Sequence, residues 1–306
     1  MAKATSWYQK GAVLAFGGLF AASSLFFAGC GDSTSGGSGS SPLSSLSSEK
    51  PEEGRAKLSP YVSATNAFNG NMVTFGFSIQ PSLEHLRNGE QQTHISLPAF
   101  QRLQTNLTEA RKSKSGFDDV DKAADDVLNV LKEIVPIADR MDSYYSAKTY
   151  LTDGYAQAEQ DRQQFLPLYD KFTAAYDSFN GLVDKHNHEL QQAELEAMKK
   201  AGKKNTALFL EVSIKASDIM DDMSKPGYDA ASLNQRLNEL AELNNAQTSD
   251  AAKLYRDEVN RFIGRAREYL ASGGDDDRAF NDLVEEYNDT IDDANRIDMN
   301  QLDGKK

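Results

Sequence analysis

The sequence predicts an all-α fold: an antiparallel helical bundle with one long coiled-coil-like helix, preceded by a disordered tether. Three observations carry that prediction. From residue 59 onward, apolar side chains recur at steps of three and four, the spacing of one helix face. No two segments alternate at the period of two that a pair of strands would need. Thirteen of the eighteen residues from Gly31 to Ser48 are Gly or Ser, a composition that cannot bury a core.

The elements follow in chain order. Tyr61, Thr65, Phe68, Met72, Phe75, Ile79, Leu83 and Leu86 mark the first helix face, and Pro81 should kink or end that helix. Val73, Phe75, Phe77 and Ile79 also alternate as a strand would, but no second such segment exists to pair with them. A loop near residues 88–93 leads to a short helix over 98–112, with Pro98 in its first turn. Ser115-Gly116 breaks the pattern before a helix over 118–148.

The strongest periodicity in the chain comes next. Phe165, Tyr169, Phe172, Tyr176, Phe179, Val183, His186 and Leu190 step by four and three without interruption, as a coiled-coil seam does. Pro167 implies either a kink or a fresh helix start, so the straight part measures about 45 Å from Leu168 to Lys200 at ~1.5 Å per residue. Gly202, Lys225-Pro226-Gly227 and Ser272-Gly273-Gly274 separate three further helical faces, and Asp275 to Asp277 open the last helix. The bundle is read as one domain over 59–300.

Residues 1–29 read as a signal peptide. Lys3 and Lys10 precede eighteen uncharged residues, Gly11 to Ala28. The stretch ends in Phe27-Ala28-Gly29-Cys30, which resembles the bacterial lipobox, with Phe27 where an aliphatic residue is usual. Cys30 is therefore the expected lipidation site, carrying palmitate-type chains that fix the mature protein to a membrane. Residues 30–58 form the lipidated cysteine and a Gly/Ser-rich linker, with a reach of roughly 30 Å and a contour of about 90 Å. Gly31 rather than an aspartate follows the cysteine, which favours the outer membrane, facing the periplasm, over the inner membrane.

Composition excludes more than it assigns. The chain has 306 residues, one cysteine and a net charge of −13, and losing Lys3 and Lys10 with the leader deepens that to −15. An acidic body speaks against nucleic acid and against adhesion to anionic lipid, and a single cysteine rules out a disulfide scaffold or a cysteine-based zinc site. No nucleotide-binding glycine loop, nucleophile elbow, H-E-x-x-H or EF-hand pattern occurs, so no enzyme, cofactor or resident metal is expected.

The best candidate for chemistry is His186 with Glu189. Three residues apart on a helix, they share a face and could together reach a ligand or a metal ion, whereas His188 points about 200° away from His186. The pattern is similar to the G-x-H-x-x-E of imelysin-type lipoproteins, but Asp184 stands where the glycine should be. The plainer alternative places His186 in the seam and leaves Glu189 solvated. Likewise Asp275 to Asp277 suit a helix cap better than a calcium loop. Tyr144, Tyr145, Tyr150, Tyr155, Tyr169 and Tyr176 line either a binding groove or core faces.

Tyr144-Tyr145 followed by Tyr150 and Asp153, the seam through Phe165 and Phe172, and the closing Leu283-Val284-x-x-Tyr287-Asn288 resemble the YiiG-like lipoproteins. The likeness runs from about Tyr61 to Ile297. It implies a proteobacterial lipoprotein with a low-complexity tether and an all-helical domain of unassigned function, and it supplies no catalytic residue. Together these readings predict a lipid-anchored, non-enzymatic interaction or scaffold protein of the cell envelope with an envelope protein partner. The alternative is a ligand- or metal-binding lipoprotein using a groove near His186 and Glu189.

Overall fold

The computed structural model describes residues 51–225, 227–274 and 276–304. The expected signal peptide, Cys30 and the linker up to residue 50 lie outside the described residues. Among those described the fold is all-α, with no strand.

Helix α1 spans Pro51–Asn88 and so begins eight residues before the expected start of the bundle at residue 59. Pro51 opens the helix, where its missing N–H costs nothing, and Glu52 and Glu53 complement the positive end of the dipole. The charged run over 52–57 hides the periodicity, but Leu58 is a core residue at 1% exposure. Phe75, expected in the core face, is 49% exposed. Nearby, Gly70 and Gly76 likewise have open space where a side chain would stand.

Helices α2 (Phe100–Ala110) and α3 (Asp118–Ser146) follow within two residues of their expected bounds. The four-residue α4 (Tyr150–Asp153) then turns the chain into α5 (Ala156–Lys200). Lys148 and Tyr155 flank α4 in the left-handed region at φ 53° and 71°. Neither is glycine, so the corner carries a local conformational cost. Asp153 offsets it by accepting from the Tyr144 hydroxyl at 2.7 Å and the Tyr155 amide at 3.0 Å.

Helix α5 runs unbroken through Pro167 for 45 residues, about 67 Å at ~1.5 Å per residue. The fresh start suggested by Pro167 does not occur, and α1 likewise continues through Pro60 and Pro81, as α3 does through Pro136. All four prolines occupy exposed positions, so the carbonyl that each leaves unbonded one turn earlier faces outward, where water can take it.

The second half comprises α6 (Lys204–Met223), α7 (Ala230–Asn245), a 3-10 turn at Asp250–Ala252, α8 (Lys253–Ala271), α9 (Asp277–Arg296) and α10 (Met299–Leu302). Gly202 turns α5 into α6 at φ 72°. Asp276 caps α9 by accepting from the amides of Arg278 and Ala279, so this member of the aspartate run serves as a cap. The structured body extends past the expected end at residue 300, because α10 buries Met299 and Leu302.

The apolar interior falls into two cores. One joins α1, α2, α3 and α5 down to Leu190. The other joins α6 to α10. Leu195, Met198, Ala207, Leu210 and Ile214, in the α5–α6 hairpin, form a small cluster of their own. In the first core the rings of Phe165, Tyr169, Phe172 and Tyr176 stack down α5, at 5.7, 6.5 and 5.6 Å between successive centroids. Phe68 and Phe100 meet Phe172 edge-on. Tyr144, Tyr145, Tyr150, Tyr169 and Tyr176 are all buried, which makes them core rather than the lining of an open groove.

Candidate functional site

Below Tyr176, α5 adds a second stripe. Asn180, Asp184, Asn187, Gln191 and Glu194 step by four and three like the aromatic seam, and all but the partly buried Asp184 are fully buried. A polar stripe of this kind reads as a solvated face in the sequence, which is why it went unpredicted. Its side chains serve two of the three polar arrangements along this part of α5.

The first is a directed string of hydrogen bonds between α1 and α5. The Tyr176 hydroxyl donates to Asn69 Oδ1 at 2.7 Å. Asn69 Nδ2 donates to Asn180 Oδ1 at 3.2 Å, and Asn180 Nδ2 donates to Asp184 Oδ2 at 2.8 Å. Burial raises the Tyr176 hydroxyl well above its ordinary value, reinforced by the charges of Asp184 and Asp177. At the end of the string, burial and then the charge of Asp221 push Asp184 up to about 8. Burial also pushes Asp221 up to about 7; Lys225 opposes this, and Asp218 and Asp222 add to it. Oδ1 of Asp221 is buried and has no hydrogen-bond donor among the described residues.

The second arrangement holds His186. Its Nδ1 lies 3.1 Å from Glu189 Oε2, and its Nε2 lies 3.1 and 3.0 Å from the two oxygens of Asp119. Neutral imidazole has one N–H, so only the doubly protonated ring can donate to both carboxylates. Burial works against the charge on Asp119, but the hydrogen bond and charge of His186 outweigh it and hold the carboxyl below its usual range. Phe117 covers one face of the imidazole. His186 and Glu189 touch, as their three-residue spacing on a helix leads one to expect, whereas Asp119, 67 residues away in the first turn of α3, was not anticipated, because an acid there reads as a dipole partner.

This geometry bears on the metal alternative. Glu189 and Asp119 sit on opposite ring nitrogens and do not converge on a common point. Among the described residues, no group of three or more His, Cys, Asp or Glu side chains is placed to hold a metal. His188 instead faces Asp218 at 3.5 Å.

The third arrangement fixes the start of α1. Gly54 lies so close to α5 that a Cβ there would meet Leu190 Cδ2 at 2.8 Å. One residue on, Arg55 pairs with Glu194, which is only 4% exposed. Buried carboxylates of this kind need a partner, and Arg55 supplies it.

Among the described residues, no helix is long and apolar enough to cross a membrane. No solved structure matches the chain. The chain is 24% identical to the uncharacterized protein YiiG of Escherichia coli (strain K12), over 68% of each chain. Residues 52–288, from α1 into α9, match the family described as "Protein of unknown function (DUF3829)". With its helical body spanned almost end to end by that match, the chain belongs to the DUF3829 family.

Proposed function

We propose that this protein is a lipid-anchored cell-envelope protein that acts through contact with a protein partner and performs no catalysis. In this reading Cys30 carries the acyl chains, the outer membrane holds them, and the helical body faces the periplasm. Support for the anchor is the Phe27-Ala28-Gly29-Cys30 sequence after an uncharged stretch. The observation that most favours an interaction role is the enclosure of His186. The group best suited to chemistry or ligand binding has both ring nitrogens turned to carboxylates and one face covered by Phe117.

Two experiments test the proposal. Labelled palmitate should enter wild-type protein and not Cys30→Ser, and equal labelling of both overturns the anchor. In-cell crosslinking should return the same envelope protein in repeated experiments and lose it when the protein is absent. If no such product forms, and purified protein binds zinc or iron with an affinity that His186→Gln abolishes, the ligand-carrier alternative replaces the scaffold.

A further inference from the structure

The described helices form two units with separate apolar interiors. The core of α1 to α5 ends at Leu190, and that of α6 to α10 begins at Phe209. One small apolar cluster has members from both: Leu195 and Met198 of α5 with Ala207, Leu210 and Ile214 of α6. All five lie near Gly202, where the antiparallel α5–α6 hairpin turns at φ 72°. Two side-chain contacts set the register of that hairpin: Lys199 with Glu211 at 3.1 Å, and His188 with Asp218 at 3.5 Å.

Positions 198, 195, 191, 188 and 184 step by three and four along one face of α5, and 207, 210, 214, 217 and 221 do so along α6. On both faces the chemistry changes at the same level. Met198 and Leu195 give way to Gln191, His188 and Asp184 on α5. Ala207, Leu210 and Ile214 give way to Ser217 and Asp221 on α6. The line between the helices is thus apolar beside the turn and polar at its far end. The contact seen at the polar end joins His188 and Asp218, whose side chains are 47% and 38% exposed. Asp184 is bonded to Asn180 within α5, so that bond does not cross between the units.

We propose that α6–α10 moves as one hinged unit about the apolar end of this line and parts from α5 at the polar end. Parting there opens neither core, and the polar groups it separates regain hydrogen bonds from water. An exposed charged contact is screened and holds the two helices only weakly. Parting at the turn would instead bare Leu195, Met198, Leu210 and Ile214, so the turn end is the fulcrum. Helix α6 carries the rest of its unit with it, because Phe209, Val212, Ala216 and Ile219 on its other side belong to the second core. Small, polar contacts between units leave relative motion as the expected behaviour. The motion changes the spacing between surfaces of the two units, so an interaction protein has more than one shape for a partner to select.

The test uses the full chain in detergent, with Cys30→Ser removing its one cysteine and pairs of spin labels on introduced cysteines. Exposed Lys132 of α3 and Asn281 of α9 report between the units. Lys132 with Lys171 of α5, and Asn281 with Asn245 of α7, report within each unit. The distance distribution between units should be at least about twofold broader than either internal one. His188→Leu combined with Asp218→Leu extends the apolar line and should narrow it to the internal width. Gln191→Leu, one turn nearer the fulcrum, should narrow it in the same sense, and it decides if circular dichroism shows the double variant unfolded. Three equally narrow distributions in the starting protein overturn the proposal. So does a broad distribution between units that the folded leucine variants leave unchanged, and so does equal broadening within a unit.

Discussion

The ring of Phe117 lies flat on the imidazole of His186, with 4.0 Å between centroids and 20° between planes. A stacked pair of this kind gains from contact and keeps water from one face of the imidazole. Phe117 is also the residue immediately before α3, so the stack and the Asp119 contact together pin the start of α3 to α5. Replacing His186 with Gln should destabilise the fold by about 1 kcal/mol and no more, because the side chains of Asp119 and Glu189 are 47% and 48% exposed and water screens the pair. Chemical denaturation at pH 6 measures the loss.

At the start of α1, Arg55→Ala strands Glu194 in the interior and should cost about 3 kcal/mol. Adding Glu194→Leu to that variant should recover most of the loss, since two well-packed apolar groups can replace a buried pair. Thermal melts of the single and double variants separate the lost partner from lost packing.

Gly54 gives a complementary result. Ala there pushes only on the flexible end of Leu190 and gains about 1 kcal/mol of helix propensity, so Gly54→Ala should be nearly neutral. Gly54→Leu overfills the same contact and should destabilise by about 1–3 kcal/mol. The pair of melting temperatures checks whether close helix approach sets the choice of residue.

The stability profile against pH follows from the same buried acids. Asp184 has a folded-state value above its unfolded one, so the folded protein binds the proton more tightly and stability falls as pH rises from about 4 to about 8. Asp184→Asn removes that slope, and at pH 8 it should be more stable than wild type by about 1–3 kcal/mol. Urea midpoints at pH 5 and pH 8 give the difference directly.

Asp303 behaves in the opposite sense. It caps α6 from the far end of the chain, accepting from the amides of Asn205 and Thr206 and from the Thr206 hydroxyl. Burial opposes its charge, but these donors outweigh it and hold the carboxyl below its ordinary range. Its contribution is present above the unfolded value and is lost as pH falls through the lower folded one. Asp303→Ala should cost about 1 kcal/mol at pH 7 and progressively less as pH falls below the ordinary carboxylate range.

Much of the fold was legible because the helices that bury most side chains show their period openly. Phe165 to Leu190 could be read directly as one seam, and all of its members are buried. The misreadings share a cause: sequence patterns record residue type, not what lies opposite. The start of α1 was hidden by a charged run in which Arg55 has its partner, Glu194, 139 residues away. Pro167 signalled a break, but its exposed position makes the lost hydrogen bond cheap. At the candidate site, His186 and Glu189 were visible because three residues on a helix fix their geometry. Asp119, Asn69 and Asp221 come from other helices, and nothing in their local sequence marks them.

One helix threaded beside both cores also fixes a length. The corner at Tyr150 and the Gly202 turn stand at opposite ends of a strut of about 67 Å, and Gly54 against Leu190 places the start of α1 near the second end. Whatever touches the corner is therefore held at a set distance from the point where the chain joins the body, as by a gauge block. Each heptad added to α5 would lengthen the strut by about 10 Å and demand matching turns in α1 and α3.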